Sequence, residues 1–209
     1  LAQQCDFPLE IVVSDDCSTD GSSEILAEYV RQFPGRVVAF FNQSNLGPIG
    51  NFCAGVARAR GEYVAFCDND DWWHDPLKLQ KQVDLLEKNP QAVAGYSDMN
   101  VFIQETGETR VATVRNSGRL IRTGSVFEAL MTDLAIGAVT VMCRARLAKD
   151  AIEEIRLADH PEWKTPDVPL WLALSLKGDF LYIDEPLATY RNRGESVSVS
   201  SDKAKRAAF

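Results

Sequence analysis

Residues 68–71 read Asp-Asn-Asp-Asp, and residues 15–16 read Asp-Asp. In extended backbone, residues i and i+2 point to the same side, so Asp68 and Asp70 can reach one ligand together. Two carboxylates placed this way suit a hard divalent cation, Mg²⁺ or Mn²⁺. Such a cation takes only one or two protein oxygens and completes its shell with substrate phosphates and water. An acidic run is also ordinary turn chemistry, and Asp75-Pro76 follows closely enough for these acids simply to lead into a helix. Context favours the metal reading, because both acidic runs end an apolar, β-branched stretch. Residues 9–14 (LEIVVS) lead into Asp15-Asp16, and residues 62–67 (EYVAFC) lead into Asp68.

Those two stretches read as buried strands. After the first, Ser18-Thr19-Asp20-Gly21-Ser22 supplies capping residues for a helix in which Ile25, Leu26, Tyr29 and Val30 recur at helical spacing until Pro34-Gly35. Residues 36–41 read as a second strand and residues 45–48 as a turn. Small and apolar residues over 49–60 mark a helix packed closely on a sheet. A further helix is expected from Asp75-Pro76 through Leu79, Val83 and Leu86 to Asn89-Pro90. Residues 92–97 read as a strand, 99–122 as strands or a hairpin, 125–131 as a helix and 138–143 as a strand. An amphipathic segment over 170–176 then precedes short strands near 180–183 and 187–191. Strands alternating with helices predict an α/β fold with a parallel sheet built from right-handed crossovers, and ligands in such sheets lie beyond the carboxyl ends of the strands. No repeat or linker divides the chain.

The balance of 22 Lys and Arg against 30 Asp and Glu gives a net charge of −8, which argues against nucleic acid as a partner. No apolar run approaches the roughly 18 residues of a spanning helix, and residues 1–6 carry no signal-peptide pattern. The five cysteines are odd in number and contain no C-x-x-C pair, so a reduced, cytoplasmic setting is expected. With only His74 and His160 beside them, no zinc-site spacing is available.

Several ordered stretches resemble the family 2 glycosyltransferases of the nucleotide-sugar-dependent, GT-A type. They are IVVSDDCSTDGS (11–22), NLG with its following helix (45–60), GEYVAFCDNDDWW (61–73) and DPLKLQKQVDLLEKNP (75–90). The similarity thins over 99–156 and returns in DVPLWLAL (167–174) and YRNRGESVS (190–198). The resemblance implies a GT-A, Rossmann-like fold: a mixed, mainly parallel central sheet with helices on both faces. It also implies an inverting transfer of a sugar from a nucleotide diphosphate donor, foremost a UDP-sugar, to a hydroxyl of a carbohydrate or lipid-linked acceptor. Asp15 and Asp16 match the pair that faces the base and ribose of the donor. Asp68 and Asp70 match the D-x-D whose acids contact the ribose and hold Mn²⁺ or Mg²⁺ on the diphosphate, where a dication stabilises the charge of the leaving group.

Asp167 matches the catalytic carboxylate that takes the acceptor proton, because it precedes LWLAL. The family usually places an acidic pair there, whereas Pro166 precedes the acid in this chain. Thr165-Pro166-Asp167 also reads as a helix start, where the macrodipole favours an acid; Asp159 and His160 in the adjoining loop are the alternative. Residues 190–198 resemble a Y-R-x-H-x-x-S-x-S element that covers the diphosphate or metal. Arg193 stands at its histidine position and cannot ligate a metal. Arg191 and Arg193 are expected on phosphate oxygens, the other reading of Arg193 being a surface ion pair. Trp72 and Trp73 suit either a platform for an acceptor sugar or core packing.

Family members usually open with an apolar strand and a helix, and LAQQ resembles the end of that helix. The resemblance therefore implies that residues 1–209 are a single GT-A domain lacking its first strand and most of its first helix, about 25–35 residues. Two other functions share parts of this pattern. A noncatalytic nucleotide-sugar or carbohydrate-binding module would use Asp68 and Asp70 and leave Asp167 dispensable. A sugar-nucleotide nucleotidyltransferase would need a glycine-rich basic loop, which is not visible here. Polysaccharide or lipid-linked oligosaccharide assembly is a common setting of the family and is compatible with peripheral association at the inner face of the membrane. The basic tail over 203–206 is too short to establish such association.

Overall fold

The computed structural model describes residues 1–118, 121–132, 136–163 and 165–194. The chain forms two compact units, each assembled from separated segments. One comprises residues 6–64 and 144–173, the other residues 1–5, 65–143 and 174 onward.

In the first unit, β1 (Ile11–Asp15) and β2 (Val37–Phe41) run parallel, in register from Ile11 opposite Val37 to Asp15 opposite Phe41. The crossover between them is α1 (Ser22–Gln32). Within the expected capping stretch, residues 18–22, Gly21 takes the N-cap position with φ 88° and no side-chain cap, and Asp20 accepts the Ser22 amide at 3.1 Å. Helix α2 (Gly47–Arg58) buries Ile49, Cys53 and Val56, the i, i+4, i+7 face of a helix. Ile49 and Cys53 pack with Leu157, flanked by Phe52, Ile152, Ile155 and Trp163. Helix α6 (Ala145–Glu154) was not foreseen from the sequence. It buries Ala145, Ala148 and Ala151, a stripe too small in side-chain volume to stand out as an apolar face. Helix α7 (Asp167–Ser175) begins in this unit and buries Leu170 and Trp171.

In the second unit the long strand β4 (Ala92–Ile103) is central. It pairs in parallel with β7 (Asp179–Asn192) and antiparallel with both β5 (Glu108–Arg110) and β6 (Met142–Arg144). The sheet is thus mixed, as the GT-A pattern implies, with its parallel pairing concentrated in β4 and β7. Beyond β6 it continues to β3 (Tyr63–Ala65), whose last residue belongs to this unit. Two features differ from the sequence reading. The strand expected over 138–143 is a 3-10 turn, Ala138–Thr140, followed by β6. The two short strands near the end are one strand, β7, whose register steps from Ser97 opposite Ile183 to Asp98 opposite Pro186 to Met99 opposite Ala188. Pro186 cannot donate to the ladder, so the bulge there interrupts the period that sequence reading relies on. Helix α3 (Lys78–Glu87) lies on β4. Leu86, Ala94, Val126, Phe180 and Leu187 form the fully buried centre. Short helices α4 (Thr113–Asn116) and α5 (Phe127–Leu130) complete the unit. Among the described residues no helix is long and apolar enough to cross a membrane.

Candidate functional site

Asp15 ends β1 and is 6% exposed. Cys17 adopts the left-handed region, φ 66°, and the turn brings the following serines back over the carboxylate. Its Oδ2 accepts the Ser18 amide at 3.2 Å and the Ser23 hydroxyl at 3.0 Å. The Ser18 side chain above all, with its amide and Ser23, holds the Asp15 carboxyl below the usual range despite burial.

Asp16 has a different occupation. Its Oδ1 accepts the Leu46 amide at 2.8 Å and Asn42 Nδ2 at 3.1 Å, and its Oδ2 accepts the Gly47 amide at 2.9 Å. Leu46 is the N-cap residue of α2 and has no capping side chain, so Asp16 satisfies the orphan amides of that helix from another loop. The neighbouring polar groups form a network. Asn42 also donates to Asn51 Oδ1 at 2.9 Å, Asn51 donates to the Ser14 carbonyl at 3.0 Å, and Arg58 donates to Asn42 Oδ1 at 3.2 Å and Ser14 Oγ at 3.3 Å. The Arg58 guanidinium lies 4.8 Å from the Phe40 ring centroid. Sequence reading missed Asn42, Asn51 and Arg58; the available signal was that Asn51 and Arg58 stand seven apart on one face of α2.

In the other unit, the acidic loop after β3 is fastened to β7. The Asp71 amide donates to the Asp68 carbonyl at 3.1 Å, and Trp72 exchanges backbone hydrogen bonds of 3.2 and 2.8 Å with Thr189. Arg191 then reaches the loop three ways. Its amide donates to Asp71 Oδ1 at 2.8 Å, its Nε donates to the Asp70 carbonyl at 2.9 Å, and its guanidinium lies 5.3 Å from the Trp72 ring centroid and 5.7 Å from that of Phe102. Arg193 pairs with Asp70, Nε to Oδ2 at 3.1 Å, while Asp68 is exposed. Burial pushes the Asp71 carboxyl up to about 6; Asp68 and Asp70 add to this and the Arg191 amide and charge oppose it.

Below the loop, Trp73 donates to the Val139 carbonyl at 3.1 Å and has the Lys78 ammonium 4.5 Å from its ring centroid. Trp73 is thus a half-buried ring anchored by these two contacts, whereas Trp72 is held between Arg191 and Phe102. Lys78 is fully buried, donates to Gln82 Oε1 at 2.6 Å, and is pushed down to about 7 by burial. His74 Nε2 faces the Pro186 carbonyl at 2.7 Å and Nδ1 faces the Thr189 hydroxyl at 2.9 Å. A carbonyl only accepts, so Nε2 carries a proton; in the neutral imidazole Nδ1 then accepts from the Thr189 hydroxyl.

Asp167 is the first residue of α7. Its Oδ1 is buried and has no hydrogen-bond partner among the described residues. The alternative pair is engaged elsewhere: Asp159 pairs with Arg156, and His160 contacts Glu162 at 3.0 Å while stacking on Trp163 at 4.3 Å.

The sequence matches the family model described as "Glycosyl transferase family 2" over residues 1–149. This chain belongs to glycosyl transferase family 2. It is 30% identical over 199 residues to the putative teichuronic acid biosynthesis glycosyltransferase TuaG of Bacillus subtilis, covering 93% of this chain and 72% of that protein. Uncharacterised mycobacterial proteins match at 38% identity over 104 residues, and that match covers 30% of their length. Among solved structures, Staphylococcus aureus TarS 1–349 in complex with UDP superposes with a TM-score of 0.60 at 19% identity, covering 91% of this chain and 54% of that one. The mannosyltransferase PcManGT from Pyrobaculum calidifontis, in complex with GDP-Man and Mn²⁺, gives 0.64 at 16% identity, covering 89% and 49%. The GT-A fold is therefore shared, and the chain is a glycosyl transferase family 2 domain.

For this family 2 domain the matched range includes Asp15, Asp16, Asp68 and Asp70, while Asp167, Arg191 and Arg193 lie past its end. The structure brings Asp70, Arg191 and Arg193 together on one loop and strand, with Asp68 one turn away. Among the described residues no group of three His, Cys, Asp or Glu could hold a metal ion. Residues 68–71 form a turn closed by the Asp71 amide on the Asp68 carbonyl, so the same-side placement expected for extended backbone is not found. What remains in favour of Mg²⁺ or Mn²⁺ is the donor chemistry of two carboxylates, with phosphate and water filling the other positions. Residues 195–198 of the YRNRGESVS stretch and the basic tail lie outside the described residues.

Proposed function

We propose that this chain is the catalytic domain of an inverting, metal-assisted glycosyltransferase that moves a sugar from a UDP-sugar to a hydroxyl acceptor. The reading is carried by the acidic loop: Asp68 and Asp70 stand on a segment clamped to β7 by Arg191, beside a second guanidinium, Arg193. Carboxylates for a cation and a cation for phosphate, on one braced loop, suit a diphosphate leaving group. Mn²⁺ or Mg²⁺ held by Asp68 and Asp70 would neutralise charge developing on that group. Asp15 supplies an ionised carboxylate to the nucleoside, with Asp16 orienting the same corner through its hold on α2. Asp167 takes the acceptor proton; its Oδ1, without a partner among the described residues, supports that role, since an acceptor hydroxyl would supply the missing donor. The sugar acceptor is a carbohydrate or lipid-linked hydroxyl, a setting compatible with peripheral membrane association.

Calorimetry with UDP tests the donor half. UDP binding should strengthen when Mn²⁺ is added, and Asp70→Asn should abolish that gain while retaining metal-free UDP binding. A wild-type protein whose UDP affinity ignores Mn²⁺ would remove the metal from the reaction.

A further inference from the structure

Asp70 holds an ion pair with Arg193 across 3.1 Å, with the carboxylate side chain 26% exposed and the guanidinium 55% exposed. The same acid is the proposed cation ligand. The guanidinium holds Oδ2 and leaves Oδ1 open, but two cations on one carboxylate repel each other, so a dication and Arg193 compete for Asp70. Arg191 is not the mobile member, because its Nε holds the Asp70 carbonyl, its Nη1 donates to Gln104 Oε1 at 3.3 Å, and its plane faces two aromatic rings. Arg193 has only the pair with Asp70 among the described residues and is more than half exposed.

Resting on the metal reading of Asp70, we infer that Arg193 is an exchangeable counter-ion: it covers Asp70 when no cation is bound and transfers to the donor diphosphate when Asp70 takes the cation. The exchange has an energetic consequence. Cation alone must strip a guanidinium from Asp70 and leave it without an anion, whereas cation with a nucleoside diphosphate supplies the guanidinium with phosphate oxygens in the same event. Arg193 therefore makes cation and nucleotide binding mutually dependent, and linkage requires each to strengthen the other by the same factor.

The test is an electron paramagnetic resonance titration of Mn²⁺ with wild type, Arg193→Ala, Arg193→Lys and Asp70→Asn, each with and without UDP. Without UDP, Arg193→Ala should bind Mn²⁺ about 5-fold more tightly than wild type, the upper end for a partly exposed ion pair. The factor by which UDP tightens Mn²⁺ should shrink in Arg193→Ala and be partly kept in Arg193→Lys. If Mn²⁺ binding is lost in Asp70→Asn but Arg193→Ala matches wild type in both affinity and UDP enhancement, the exchange is overturned and the metal site survives. If Asp70→Asn binds Mn²⁺ as wild type does, the metal reading and the exchange fall together.

Discussion

A buried carboxylate oxygen without a donor costs free energy that a protein ordinarily avoids. Asp167 Oδ1 has no partner among the described residues at the head of α7, and the proposed role predicts that an acceptor hydroxyl donates to it. Asp167→Asn keeps the shape and removes the basicity. Transfer to acceptor should fall by about 10²–10⁴-fold while calorimetric UDP affinity stays within a factor of two, with the fold unchanged by circular dichroism. Full turnover in that variant would take Asp167 out of the chemistry. The acids that the sequence marks as alike also divide at this scale. Asp15 is a closely held, ionised carboxylate, Asp16 is a helix anchor, Asp70 is an ion-pair partner and Asp71 is a buried acid beneath a backbone amide. Spacing alone could nominate the D-x-D pair, but it had no means of separating these occupations.

Element starts and strand pairings depend on partners that lie far along the chain. Helix α2 begins at a residue without a capping side chain, and Asp16 supplies the acceptors for the Leu46 and Gly47 amides. Asp16→Ala should destabilise the protein by about 1–2 kcal/mol, the cost of losing a helix cap. The measurement is the urea midpoint at constant m-value, and a midpoint equal to wild type would mean water replaces the carboxylate without loss. Helices and strands with strong periodicity, such as α2 and α3, were legible in the sequence. Helix α6 was not, because its buried face is alanine, and β7 was read as two strands because Pro186 breaks the alternation.

At the scale of the whole molecule, the fully buried Lys78 links stability to pH. Its folded pKa lies near 7 against an ordinary 10.5, because burial disfavours the ammonium. Between those values the unfolded chain holds the proton that the folded one has released, so this residue's contribution to stability rises as pH increases from 7 toward 10. Lys78→Met should remove the contribution. The difference in unfolding free energy between wild type and Lys78→Met, from urea melts at pH 7 and pH 9, should shift toward wild type at the higher pH. A pH-independent difference would show that Lys78 remains charged against the Trp73 face.

What the sequence determined by itself was local: strands ending in acids, amphipathic faces, helix stops, and the ordered motifs of glycosyl transferase family 2. Each of these is written within a few residues, because backbone geometry imposes the periods of 2 and 3.6. Tertiary structure alone decided which acid anchors a helix, which arginine braces the acidic loop and which covers Asp70, and that Trp73 lies over a buried lysine. The Asp71 carboxylate meets the Arg191 amide 120 residues away in sequence. Short-range patterns carry no record of such pairings, which arise only when burial forces each polar group to find whatever partner the folded chain brings within reach.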